Sequence, residues 1–76
     1  MEELVRYLVS LLVDDPDAVK VEPRVSGVTT VYEVYVASAD LGKVIGRRGR
    51  TASALRAVVE AAGRKRQEKA TVDIIS

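Results

Sequence analysis

The chain has 76 residues, of which 47% are hydrophobic and 30% charged, and it contains neither histidine nor cysteine. This length allows one domain, and the composition excludes a disordered chain, a disulfide framework and a thiolate metal site. No apolar run approaches the length of a membrane span, and residues 1–3 lack the basic region of a signal peptide, so we expect a cytoplasmic protein.

The first half of the chain predicts a helix followed by two strands. Apolar residues recur at helical spacing over residues 2–13, and Pro16 follows that segment and ends the helix. Residues 19–25 alternate as a strand with one wet face, and Pro23 indicates an edge position. Gly27 predicts a tight turn into a second strand at 28–36. The residues expected to face inward on the first strand are Val19, Val21 and Val25.

The second half predicts two helices and a last strand. Ser38 is expected to cap a short helix from about Ala39 to Gly46. A longer helix is expected to follow Gly49 and to end near Gly63, where a glycine commonly stops a helix. Residues 70–75 alternate as a third strand. The expected core face of the longer helix contains Ala52, Leu55, Val58, Val59 and Ala62.

Positive charge is concentrated in one third of the sequence. Residues 1–39 carry a net charge of −4, residues 40–66 carry +6 and residues 67–76 carry −1. Such segregation is typical of a protein with a polyanionic partner, and the alternative is a basic helix face that contacts only solvent.

The segment Gly46-Arg47-Arg48-Gly49 joins the two predicted helices. Its glycines permit a sharp turn and close approach of a ligand, and the first N–H groups of the following helix are expected to point outward towards a phosphate. An ordinary helix connection is the alternative. A nucleotide-binding P-loop would end in Gly-Lys-Ser/Thr, which this segment lacks. A DNA-binding recognition helix would need more polar side chains than residues 52–62 offer.

The segment from Val44 to Arg50, within an αββααβ order, resembles a type II KH domain. The match is closest to the small, stand-alone bacterial KH proteins of the KhpA type and spans essentially residues 1–76 as a single domain. It also includes Asp40-Leu41-Gly42 before the motif and the ending Val72-Asp73-Ile74-Ile75. The resemblance implies an α+β fold, with a three-stranded mixed sheet and three helices packed on one face.

The resemblance implies a groove for about four nucleotides of single-stranded RNA, in which the Gly-x-x-Gly loop clamps the sugar-phosphate backbone. Sequence alone leaves RNA and single-stranded DNA both open. Val44 and Ile45 are expected either in the groove floor or in the core. The candidate RNA-binding residues are Lys43, Val44, Ile45, Gly46, Arg47, Arg48, Gly49 and Arg50.

The resemblance implies a post-transcriptional regulator or RNA chaperone. We expect no catalysis, no cofactor and no metal, because no histidine or cysteine supplies a base, a nucleophile or a soft metal ligand. The alternative is a protein-interaction subunit. The apolar residues on 4–13 exceed what one sheet needs, and the family is associated with homodimers and with a larger, Jag-type partner that bears another KH domain.

Overall fold

The computed structural model describes residues 1–76 and has the αββααβ order expected from the sequence. The strands are β1 (Lys20–Ser26), β2 (Thr29–Tyr35) and β3 (Lys69–Ile74). The helices are α1 (Glu2–Ser10), α2 (Leu41–Ile45) and α3 (Arg50–Lys65), and short 3₁₀ turns occupy Pro16–Ala18, Ser38–Asp40 and Arg47–Gly49. No helix combines the length and the apolar character needed to cross a membrane.

The sheet is mixed, with β2 in the centre, antiparallel to β1 and parallel to β3. Side chains alternate between its two faces, so the pairs Val21–Val34 and Tyr32–Val72 project towards the same side. All three helices pack on that side, which confirms the predicted fold class. The fully buried side chains are Val5, Val9, Val34, Val44 and Val59.

Several predicted boundaries were wrong by a few residues at the ends of elements. Helix α1 ends at Ser10 rather than at residue 13, because the chain tightens there: the Leu12 N–H bonds to the Val9 carbonyl oxygen at 2.9 Å. Val25 was expected in the core, but 75% of it is exposed because it lies next to the β1–β2 turn. Ser38 makes no side-chain cap; the 3₁₀ turn there starts after Ala37.

Gly63 does not end α3, although the sequence predicted that it would. The helix continues to Lys65 and ends in a Schellman motif, in which Gln67 takes the left-handed conformation with φ of 57°. The Glu68 N–H bonds to the Gly63 carbonyl oxygen at 2.8 Å. A Cβ at Gly63 would lie 2.6 Å from the Glu68 carbonyl oxygen, so this glycine is needed for the close packing of α3 on the start of β3.

Tyr32 is the buried aromatic residue of the sheet, and its hydroxyl donates a hydrogen bond to the Glu68 carboxylate. Burial and the adjacent Glu68 charge raise the pKa of Tyr32 to about 12. Because the pKa in the unfolded chain is about 10, the neutral phenol stabilises the fold fully below that pH. This contribution is lost as pH rises from about 10 to about 12.

We therefore predict that the free energy of unfolding falls more steeply with pH in the wild type than in Tyr32→Phe between pH values of about 10 and 12. At neutral pH the variant should lose roughly 1 kcal/mol, the usual value of one hydrogen bond. Urea unfolding at a series of pH values measures both effects. Parallel curves for the two proteins over that range would contradict the prediction.

Candidate nucleic-acid interface

Helix α2 is short, and only one of its side chains is fully buried in the hydrophobic core. Val44 has no exposed surface and packs within the hydrophobic cluster, whereas Ile45 is half-buried. Val44 was one of the candidate RNA-contacting residues, and its burial corrects that assignment: it fixes the position of α2 and cannot touch a ligand itself. Ile45 remains available at the surface next to Gly46.

The backbone of the Gly-x-x-Gly segment is left-handed at three of its four positions. The φ angles are 77° at Gly46, 57° at Arg48 and 73° at Gly49. Gly46 also has ψ of 173°, a combination that essentially only glycine adopts. Arg48 adopts a conformation that costs an ordinary residue roughly 1–2 kcal/mol. The segment is therefore a strained turn rather than a relaxed connection between helices.

Gly46 is also needed because of its contact with the start of α3. A Cβ built there would lie 2.2 Å from Thr51 Oγ1 and 2.8 Å from the Thr51 backbone nitrogen. No real Cβ tolerates contacts that short. The position Gly49, by contrast, faces open space, so only its backbone angle favours glycine.

Part of the expected anion site is used inside the turn. The Gly49 N–H bonds to the Gly46 carbonyl oxygen at 3.1 Å, and the Arg50 N–H bonds to the Arg47 carbonyl oxygen. The expectation that the first N–H groups of α3 all point outward was therefore wrong at Arg50. The turn extends the helix backwards by one 3₁₀ turn, which leaves the arginine side chains as the main positive groups.

The arginines of the loop are exposed and unpaired. Arg47, Arg48 and Arg50 are all exposed, and none has a carboxylate oxygen within 4.0 Å. Three guanidinium groups thus surround one turn without local compensation. Such a cluster attracts phosphate groups, to which guanidinium binds in a bidentate manner.

Lys43 differs from these arginines because its ammonium group is already engaged. It contacts the Asp14 carboxylate and lies 3.4 Å from Asp40 Oδ1. The hydrogen bond to Asp14 raises the pKa of Lys43, although partial burial opposes this. Its predicted support of the phosphate site would require it to leave both carboxylates.

Asp40 is the one buried charged residue, and it ties the α1–β1 connection to α2. Burial alone would raise its pKa, but backbone N–H groups of Asp14 and Asp15 and the Lys43 ammonium outweigh it and lower the pKa. The carboxylate of Asp40 therefore stays charged and holds Lys43 beside the loop rather than within it.

Arg56 lies on the flank of α3 that faces β3, and the sequence analysis counted it only as charge. The Arg56 Nε donates a hydrogen bond to the Val72 carbonyl oxygen at 3.3 Å. Glu60 lies one helical turn after Arg56, and its Oε2 accepts a hydrogen bond from the Thr71 hydroxyl at 2.9 Å. These two contacts attach α3 to the outer strand of the sheet. The sequence offered one indication of this role: Arg56 and Glu60 are the only charged residues between positions 52 and 62.

The contact at Gly46 predicts opposite effects for two glycines of this region. Gly46→Ala should destabilise the fold by about 3 kcal/mol, because a clash with Thr51 adds to an unfavourable backbone angle. Gly42→Ala is the matched control: it has open space and lies inside α2, so it should stabilise by up to about 1 kcal/mol. Denaturant unfolding of both variants tests this, and equal stabilities would contradict it.

Comparison with known proteins shows the family of this chain. The family model described as KhpA/KhpB, KH domain, matches residues 2–74. The chain is 44% identical over 75 residues to "RNA-binding protein KhpA" of Caldanaerobacter subterraneus subsp. tengcongensis, covering 99% of this chain and 100% of that protein. It is 49% identical over 74 residues to the protein of that name from Streptomyces coelicolor, covering 97% and 94% of the two chains. The chain therefore belongs to the KhpA/KhpB KH-domain family.

Proposed function

We propose that this protein binds single-stranded RNA without catalysis, with the backbone of the RNA passing over the loop from Gly46 to Gly49. The observation that carries the proposal is the exposed, uncompensated group of Arg47, Arg48 and Arg50 around a strained turn. The relatives named above as RNA-binding proteins support RNA as the ligand. We extend the proposal to a role in post-transcriptional regulation or as an RNA chaperone.

The loop suits a sugar-phosphate backbone for two reasons. Gly49 adds no side chain to the open space beside it, so a strand can approach the backbone there, whereas Gly46 allows the sharp turn by its close contact with Thr51. The arginines then supply charge on either side of the turn. Contacts of this kind position a strand but carry no base information, so they predict binding to many sequences.

Arg47→Asp combined with Arg48→Asp should abolish RNA binding while the fold remains intact. Both side chains are exposed, and aspartate tolerates the left-handed angle at position 48. Fluorescence anisotropy with a labelled single-stranded RNA measures the affinity. We expect a loss of about a hundredfold or more, since like charges replace phosphate-binding groups.

A matched control separates this site from bulk charge. Arg64→Asp combined with Lys65→Asp makes the same change in net charge at the far end of α3, where both residues are exposed and unpaired. The control should bind RNA more tightly than the loop variant. Equal losses in the two proteins would mean that charge alone, and not the loop, determines binding.

The RNA affinity of the wild type should also fall as the salt concentration rises. A plot of log affinity against log salt should have a slope of about −0.7 for each phosphate neutralised.

A second function, self-association, is favoured by an apolar groove between α1 and α3. Leu11 is 65% exposed and Val58 50% exposed, although the sequence predicted Val58 to be in the core. We name this surface the α1–α3 patch, and its residues are Leu8, Leu11, Leu12, Thr51, Ala54, Leu55 and Val58.

We propose that a second copy of this chain covers the α1–α3 patch. Two copies related by a two-fold axis place the same apolar surface on both sides of the contact. A typical stable interface needs about 800 Å² from each partner, and the chain exposes 4896 Å² in total. Pairing would present two RNA-binding loops and raise the apparent affinity through avidity.

Val58→Asp should convert the protein to a monomer. Sedimentation velocity at micromolar concentration compares it with the wild type and with Val28→Asp, a control at a valine that is 83% exposed in the β1–β2 turn. Only the change at Val58 should shift the sedimentation coefficient. A monomeric wild type would contradict self-association and would leave the patch to a larger KH-domain protein.

A further inference from the structure

We propose that Asp14 keeps Lys43 away from the phosphates of the bound RNA and thereby limits how many of them the interface neutralises. The proposal rests on the proposed function, because it takes the RNA backbone to pass over the loop from Gly46 to Gly49. It goes further in assigning an affinity-limiting role to a carboxylate of the α1–β1 connection, which lies outside the loop.

Lys43 lies close to the loop, but its ammonium group is turned away from it. Lys43 is exposed and lies three residues before Gly46 on α2, about 4.5 Å away along the helix axis. Side chains on a helix lean towards its N-terminus, and the Lys43 ammonium accordingly contacts Asp40 and Asp14. Because lysine has a flexible four-carbon stem, turning it towards the loop changes side-chain torsions and leaves α2 in place.

The two carboxylates that hold Lys43 differ in what else they do. Asp40 is 3% exposed, and its Oδ2 accepts the Asp15 N–H at 3.1 Å, so it anchors the backbone of the α1–β1 connection. Its Oδ1 lies 3.4 Å from the Lys43 ammonium, which is longer than a usual hydrogen bond. Asp14 has an exposed side chain whose one polar partner in the protein is Lys43. Asp14 is therefore the carboxylate that competes with a phosphate for this ammonium.

The Asp14 carboxylate stays near the loop when RNA binds, because Asp40 fixes the connection that carries it. A phosphate must either draw Lys43 away from Asp14 or bind without it. An exposed ion pair contributes little in water, so the exchange of partners is possible, but it offsets part of the affinity that a free ammonium would supply. The charge of Asp14 also repels a phosphate that approaches Lys43. Both effects weaken binding of the sugar-phosphate backbone, whatever the bases are.

Asp14→Asn tests the proposal, because asparagine has nearly the same shape as aspartate and carries no charge. Fluorescence anisotropy with a labelled oligo-U of about eight nucleotides, twice the length that a KH groove holds, measures the affinity at a series of salt concentrations. The variant should bind about threefold to fivefold more tightly than the wild type. One additional phosphate contact should also make the slope of log affinity against log salt steeper by about 0.7.

Two further comparisons separate this contact from general charge. Asp17→Asn removes the same charge from the same connection, at an exposed residue with no cation within 4.0 Å, and should keep the wild-type salt slope. In a Lys43→Gln background, Asp14→Asn should raise the affinity no more than Asp17→Asn does, because no ammonium is left to release. Thermal melts identify a variant that does not fold. If Lys43→Gln is such a variant, the salt slopes of Asp14→Asn and Asp17→Asn decide.

The possible results are distinct. A gain in affinity and a steeper salt slope that are both specific to Asp14→Asn support the proposal. Equal gains in Asp14→Asn and Asp17→Asn, at the wild-type slope, show general charge repulsion and overturn it. Unchanged or weaker binding by Asp14→Asn also overturns it, and the ion pair is then purely structural. A wild type that binds no RNA contradicts the proposed function itself, and this proposal with it.

Discussion

The close approach of Gly46 to Thr51 is the contact on which the rest of the site depends. Because no Cβ fits between them, the end of α2 and the start of α3 can meet at this distance only through glycine. Val44 holds α2 in the core, and Leu55 and Val59 hold α3 there. With both helices fixed, the residues between them must bulge outward, and the left-handed strain at Arg48 persists because the surrounding structure determines it.

Charge compensation divides the basic residues of the middle segment into two groups. Lys43 neutralises Asp14 and the buried Asp40, so it contributes to the fold. The loop arginines have no such partners and keep their charge for a ligand. The sequence total of +6 for residues 40–66 therefore overstates the charge available to an anion near the loop, because Lys43 is paired and Arg64, Lys65 and Arg66 lie at the other end of α3.

Periodicity allowed the order of the elements and the sheet faces to be predicted, because each valine of a strand such as Val21 or Val34 has only two directions to choose from. The roles of single residues were less accessible. Gly63 looked like a helix stop, but tertiary packing against Glu68 requires it. Lys43 looked like a phosphate ligand, but Asp14 is brought beside it from 29 positions away, which no local pattern shows. Arg56 was seen only as charge because its partner, Val72, is a backbone carbonyl.

Helix α3 serves three surfaces at once, and helical geometry keeps them apart. Leu55 and Val59 point into the core, and the residue after each of them, Arg56 and Glu60, faces β3. Val58 lies one position before Val59. It is on the side of α3 that faces away from β3 and lies next to α1. At 100° per residue these flanks are well separated around the axis. The side of α3 that attaches to β3 and the proposed dimer contact therefore do not overlap, so one helix holds the outer strand and still presents an apolar surface to a second copy.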